Sequence, residues 1–278
     1  MFWLIFVGLL FVSMLVTWVI LPKIKEMLEA ANFLKPNFRQ KNIPMGVGLV
    51  FFLSTLLVIT AGRALNLLGQ ETNTFLLAIG GIGLFGLIDD FFGSRGASGL
   101  IGHFKKLFIQ REITTGALKA LAGGIIAFYI SLGLVENAGF SKWVLVIENT
   151  LIIALSTNAL NLLDLRPGRA AKGFLVLAAV ITILGAAKSP LFYLAIVAGS
   201  VIAFIRDDLK ARAMMGDTGS NMLGMALGYT AVNIFDAPLK MGFLILLICF
   251  HLFTERFSLT KVIERNRILN YLDMLGRE

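Results

Sequence analysis

Long apolar stretches dominate this chain, and short polar segments separate them. Nine runs stand out, at roughly 2–21, 45–62, 73–88, 116–135, 143–163, 173–187, 190–205, 219–235 and 239–254. A bilayer-spanning helix needs about 20 predominantly apolar residues, and most of these runs approach that length. The bilayer core offers no water to a bare backbone, so helices are the favoured way across. A membrane β-barrel would show short alternating segments instead, and none is visible. The pattern predicts an all-α polytopic transmembrane bundle of about nine spans.

Composition agrees: 57% of the 278 residues are hydrophobic and 15% charged, with a mean hydropathy of +0.83. The net charge of +8 would raise nucleic acid as a partner in a soluble protein. The positions of the cations answer that. All 25 Lys and Arg except Arg63, Lys142, Lys188 and Lys240 fall in segments 22–44, 89–119, 164–172, 206–218 and 255–278. Those segments share one side if the N-terminus is outside, which is the positive-inside signature. The expectation is an outside N-terminus, a cytoplasmic C-terminus, membrane lipids as partners and no nucleic acid. The first run has no cation before it and is read as a retained helix rather than a cleaved signal. Cys249 is the single cysteine, so no internal disulfide can form. Residues 1–256 read as one transmembrane domain. In 257–278, Leu259, Val262, Ile263, Leu269, Leu272 and Leu275 recur at roughly helical spacing among charges. That predicts an amphipathic cytoplasmic tail helix, lying on the membrane surface or solvated.

Three polar clusters fall at the cytoplasmic ends of spans, where acids near hydrocarbon call for a functional hypothesis. Asp89-Asp90 closes the third span; one of two adjacent carboxylates can take a raised pKa and serve as a base, or the pair simply ends a helix. Asn158, Asn161 and Asp164 share one helix face, suited to a nucleobase, a ribose or a metal-bound water, or to hydrogen bonds between helices. Gly216-Asp217-Thr218-Gly219-Ser220 precedes the eighth span. It offers a helix N-terminus and two hydroxyls for a phosphate, and Asp217 is a hard oxygen donor for Mg²⁺; a plain helix cap is the alternative. Asp207-Asp208, among Arg206, Lys210 and Arg212, reads as a charge-balanced loop. Gly81-Ile82-Gly83-Leu84-Phe85-Gly86 matches a dinucleotide fingerprint as a string but lies inside a span, without the strand that fingerprint requires. Small residues at a helix–helix contact explain it better.

Four segments in order resemble the polyprenyl-phosphate N-acetylhexosamine-1-phosphate transferase superfamily, over roughly residues 35–255. Lys41-Asn42-Ile43-Pro44-Met45-Gly46-Val47-Gly48 looks like its basic, proline, double-glycine segment. Gly83 to Asp90 looks like its Asp-Asp motif, Asn158 to Asp164 its Asn/Asp motif, and Met215 to Ser220 its Gly-Asp-x-Gly-Ser motif. The resemblance implies attack by a polyprenyl (undecaprenyl) phosphate on a UDP-N-acetylhexosamine, with release of UMP, in cell-envelope glycan synthesis at a bacterial plasma membrane. It implies Asp217 as ligand of Mg²⁺ (or Mn²⁺), and Asp89, Asp90 and Asp164 as catalytic residues. Lys41, Asn158, Asn161, Thr218 and Ser220 follow as substrate-binding residues, and a homodimer is a candidate assembly.

Two departures from the family pattern matter. Pro167 stands where many members carry a second acid, and the segment after the ninth span has no histidine where members carry a His-rich loop. A catalytically degenerate binding or regulatory subunit is therefore one rival reading. A secondary transporter is another, although transporters gather ionisable groups near the midplane rather than at one face.

Overall fold

In a computed structural model, residues 1–93, 114–136 and 139–277 are described. Arg95, Lys105, Lys106 and Arg111, counted above as inside cations, lie outside them. Helix α1 (Phe2–Ala30) leads into a two-stranded hairpin, β1 (Leu34–Pro36) and β2 (Asn42–Pro44). The strands are antiparallel, with Lys35 opposite Ile43. Then come α2 (Leu49–Ala64), α3 (Thr72–Phe92), α4 (Thr115–Leu134), α5 (Phe140–Leu163), α6 (Arg169–Leu184), α7 (Leu191–Leu209), α8 (Gly216–Ile234) and α9 (Ala237–Arg256). Two short helices follow, α10 (Leu259–Arg265) and α11 (Arg267–Met274).

Among the described residues, α1 to α9 coincide with the nine apolar runs. Five of them are long and apolar enough to cross a membrane: α1, α3, α4, α5 and α9. The chain is thus a multi-pass membrane protein of all-α architecture. Of the other four, α2 and α6 have 16 residues each and are short for a span, while α7 and α8 are largely buried inside the bundle. Helix α8 packs against α2, α3, α5, α6 and α7, and almost its whole length is buried. A helix enclosed by other helices gains from close approach rather than from large apolar side chains. Accordingly α8 carries Gly219, Gly224 and Gly228. A methyl group added at Gly224 would lie 2.3 Å from the Ser156 carbonyl oxygen and 2.4 Å from Thr157 Cα, both on α5. The Gly81–Gly86 string serves the same end on α3. An added methyl at Gly86 would lie 2.5 Å from the Asp217 carbonyl oxygen.

The antiparallel contacts of α8 with α3 and α5 gather the polar clusters at one end of the bundle. Around that end, the segment before α2 pairs with the segment before α8. Met214 N–H donates to the Pro44 carbonyl (2.9 Å), and Val47 and Gly48 N–H donate to the carbonyls of Met214 and Met215 (3.0 Å each).

The tail forms two helices in place of one. Asn266 breaks it, because its Oδ1 accepts from the amides of Ile268 and Leu269 and so caps α11. Ile268, Tyr271 and Leu272 are exposed, while Asp273 turns inward to a bidentate pair with Arg169 (2.8 and 2.9 Å). Burial works against the charge on Asp273, but the hydrogen bonds and charges of Arg169 and Arg277 hold its carboxyl below the usual range.

Overpacking the α5–α8 contact sets a test of this core. Gly224→Ala is expected to lower stability by about 1–3 kcal/mol. Gly124→Ala on α4, where an added methyl meets nothing within 4 Å, is expected to be neutral or slightly stabilising. Thermal unfolding of the two variants in detergent compares them directly.

Candidate active site

Asp90 is 2% exposed, and its carboxylate lies against the N-terminus of α8. Oδ1 accepts from the Asp217 amide (2.9 Å), and Oδ2 accepts from the Thr218 amide (2.9 Å) and hydroxyl (2.6 Å). A helix N-terminus leaves amides without partners and favours negative charge. Here the protein supplies the anion itself, from a helix 127 residues earlier in the sequence. Gly216 makes room for it. Its φ is +67°, which glycine adopts without strain, and an added methyl would lie 2.4 Å from Asp90 Oδ2. The amides foreseen as a phosphate cradle are therefore occupied by Asp90, and so is the Thr218 hydroxyl. The Ser220 hydroxyl donates to the Gly216 carbonyl (3.0 Å) and lies 3.1 Å from Asn161 Oδ1.

Asp89 points the other way. Lys119, from the first turns of α4, contacts its Oδ2 at 2.8 Å and also pairs with Asp217 Oδ2. One ammonium thus joins two carboxylates from α3 and α8. Lys119 entered the sequence reading only as a topological cation; its sole signal there was a charge in the opening turns of an apolar helix. Lys35 Nζ, carried by the hairpin, donates to the Asp90 carbonyl at 2.8 Å. Lys41 is exposed near the hairpin tip and pairs with none of these carboxylates. The hairpin cation that reaches the cluster is Lys35.

Two cavities flank the cluster. The larger, of about 380 Å³, runs along α4 and α5. Lys119, Asn158, Asn161 and Glu255 form its polar end, and residues such as Ile82 and Leu155 form its apolar wall. The smaller, of about 160 Å³, is lined by Asn37, Asp164, Arg166, Asp208 and Asp217 among others. The Asn158–Asn161–Asp164 stripe therefore divides, with two amides facing one cavity and the acid facing the other. Asp164 follows the last turn of α5. Burial first, then the charges of Asp208, Asp217 and Asp90, pushes its carboxyl well above the usual range.

Asp207 and Asp208 also separate. The pair ends helix α7 rather than lying in a loop, and Asp207 is balanced by Lys25 of α1, far off in sequence, at 3.2 Å. Asp208 is 5% exposed, takes a hydrogen bond from the Gly168 amide, and its Oδ2 has no hydrogen-bond partner among the described residues. Its burial was invisible in a stretch so rich in charge.

Residues 73–235, well over half of the chain, match glycosyl transferase family 4. The chain belongs to that family. Its relatives include the phospho-N-acetylmuramoyl-pentapeptide-transferase of Acetivibrio thermocellus, 29% identical over 210 residues, which covers 71% of this chain and 61% of the relative. The protein of that name from Wolbachia pipientis is 29% identical over 209 residues, covering 70% and 61%. The one from Moorella thermoacetica is 28% identical over 196, covering 62% and 60%. The chain spans about three fifths of the length of these curated relatives. The matched region carries the Asp89–Asp90 pair, Lys119, the Asn158–Asp164 stripe and the Asp217 turn; the hairpin and the tail lie outside it.

The two adjacent acids should separate by experiment. Asp90→Asn replaces one of the two buried acceptor oxygens with an NH2 group that faces donors, and is expected to cost about 2 kcal/mol of stability. Asp89→Asn removes one of two carboxylates around Lys119 and leaves it balanced by Asp217, and is expected to cost less, about 1 kcal/mol. Midpoints of thermal unfolding in detergent measure both.

Proposed function

We propose that this family 4 protein transfers a sugar-1-phosphate from a UDP-N-acetylhexosamine to a polyprenyl phosphate. One observation carries the reading: the two cavities meet at the Asp89–Lys119–Asp217 cluster. Lys119 lines the larger and Asp217 the smaller, and the two are ion-paired. A transfer between an apolar-tailed phosphate and a nucleotide diphosphate needs such a junction of an apolar-walled and a polar compartment.

In this reading the lipid phosphate enters the larger cavity with its prenyl chain along the apolar wall. Asp89 accepts its proton or aligns it, and Lys119 neutralises charge as phosphoryl transfer requires. A phosphate oxygen of the lipid forms a bond to the β-phosphorus, the bond from that phosphorus to the oxygen bridging it to UMP breaks, and UMP leaves. Asp164, in the smaller cavity, orients the donor, and Asn158 and Asn161, in the larger, bind the substrate beside Lys119. The reaction takes place at the cytoplasmic face of a bacterial plasma membrane, with nine spans and the N-terminus outside. The names of the relatives support a role in cell-envelope glycan synthesis.

The donor set fits a divalent cation. Asp89 and Asp217 already gather round one positive charge, and Mg²⁺ is commonly held by one or two carboxylates plus substrate phosphates. Among the described residues no cluster of three or more acidic, His or Cys side chains could hold a metal ion, so substrate oxygens would complete the shell. The bound ion would neutralise the diphosphate and polarise its phosphoryl oxygens.

The test is a lipid-product assay with undecaprenyl phosphate, Mg²⁺ and radiolabelled UDP-N-acetylglucosamine. Label is expected to move to lipid with release of UMP. Asp217→Asn and Lys119→Met are each expected to reduce the rate by about 10²-fold or more, the scale for losing a group that stabilises transition-state charge. Silence of the folded protein across a panel of UDP-sugars would overturn the proposal in favour of a binding subunit.

A further inference from the structure

Asp164 takes no side-chain hydrogen bond among the described residues, so its backbone sets where its carboxylate stands. That backbone is the turn 164–168 between α5 and α6. Within the turn the Asp164 amide donates to the Asn161 carbonyl (3.1 Å) and the Leu165 amide to the Leu163 carbonyl (2.8 Å). Pro167 has no amide hydrogen to give. Gly168 sits at φ +74°, pressed on Leu209 so closely that an added methyl would lie 2.2 Å from its Cδ2.

The Arg169 amide closes the turn onto the Arg166 carbonyl (3.2 Å), the Gly168 amide is held by Asp208, and the Pro167 carbonyl and the Arg169 side chain are held by the segment after α9. Arg277 Nε donates to the Pro167 carbonyl at 2.6 Å, and its Nη2 donates to Asp273 Oδ1 at 2.8 Å. Asp273 in turn grips Arg169, the first residue after the turn, through two bonds. Arg169 Nη1 adds a bond to Thr260 Oγ1 on α10 (3.0 Å). Lys172 donates to the carbonyls of Leu272, Asp273 and Leu275 (2.8, 2.7 and 3.0 Å), so a cation caps the last turn of α11. The side chains of Arg169, Asp273 and Arg277 are 5%, 8% and 7% exposed. Charges buried to this degree are costly to unpair, which distinguishes the segment from a fraying tail.

We infer that the segment 257–277 is a strap that positions Asp164. Arg277 and Asp273 act as positioning residues, through the Pro167 carbonyl and the Arg169 guanidinium, on either side of one turn. The catalytic half of this inference rests on the transfer reading above; the mechanical half does not.

The experiment uses the full chain in detergent, with two variants chosen to keep size. Arg277→Gln removes the charge and weakens the bond to Pro167; Asp273→Asn loosens Arg277 and Arg169 together. Hydrogen exchange by mass spectrometry follows the amides of Leu165, Arg166, Gly168 and Arg169. Exchange there is expected to quicken about tenfold, the scale of one lost charge-assisted hydrogen bond, with the interior of α5 and α8 unchanged. In the transferase assay kcat is expected to fall at least about tenfold with KM for the UDP-sugar little altered, as small misplacements cost rate. Arg277→Lys, which keeps the charge but cannot reach both acceptors at once, is expected to recover part of kcat. Unchanged exchange at 165–169 in both variants would overturn the strap. Faster exchange with unaltered kcat would overturn the positioning of Asp164. If the unmodified protein turns over no donor, the transfer reading fails, and the exchange result alone decides the strap.

Discussion

The carboxylate of Asp90, inserted at the N-terminus of α8, is the interaction on which the functional end of this protein depends. It accepts three hydrogen bonds in a place almost closed to water. A buried carboxylate is costly unless its charge is compensated, and a helix N-terminus supplies that compensation through oriented amides and the macrodipole. The demand is mutual, since the same amides would otherwise be left without partners. Helix α3 is thereby locked to α8 at one point. The glycines around that point, Gly86 and Gly216, follow from the lock, because a methyl at either would enter the space it occupies.

Asp90 is held by α8, and its neighbour is left in a different environment. Asp89, one residue earlier, leaves the α8 contact and faces Lys119. Adjacent helical positions point about 100° apart, which is how two like charges in sequence avoid sharing one environment. Lys119 then joins Asp89 to Asp217 across the boundary between the cavities. Bringing two carboxylates together without a cation would cost repulsion, and the ammonium removes it. The arrangement is suited to receive phosphates: the carboxylates can accept a second cation while the ammonium turns toward an incoming anion.

Much of the scaffold was legible in sequence, for identifiable reasons. Runs of apolar residues encode α1 to α9, because hydrocarbon admits few other backbones. The Gly81–Gly86 string, refused as a nucleotide fingerprint, is a helix contact as its setting suggested. What sequence could not show depends on distant partners. The hairpin has Pro36 and Pro44 at its strand ends and no alternation to betray it. Asp90 as a cap needs α8, 127 residues away. Lys119 was one cation among many until α3 and α8 flanked it. Asp208 stood between charged neighbours and looked solvated, yet it is the member of its pair that turns inward. The stripe of Asn158, Asn161 and Asp164 was read as one surface. It is one face of a helix, but two cavities divide it.

Pro167 shows how a local change can move a constraint elsewhere. Proline removes an amide from the turn after Asp164 and fixes φ, so the turn loses one means of holding itself. Its carbonyl remains, and Arg277 takes it. Gly168 supplies the left-handed conformation that lets α6 begin at once, and it places Arg169 where Asp273 can grip it. To the turn's own backbone bonds is added a charged network that includes the chain more than a hundred residues on. A network of that kind is strong only when complete: three buried charges satisfied together stabilise, whereas removal of one leaves the others exposed to a low-dielectric setting. The cluster of Asp89, Lys119 and Asp217 differs in this respect, because one ammonium serves two carboxylates and stays paired when Asp89 is neutralised. The mechanical support of Asp164 is therefore governed by a network in which no charge can be removed in isolation.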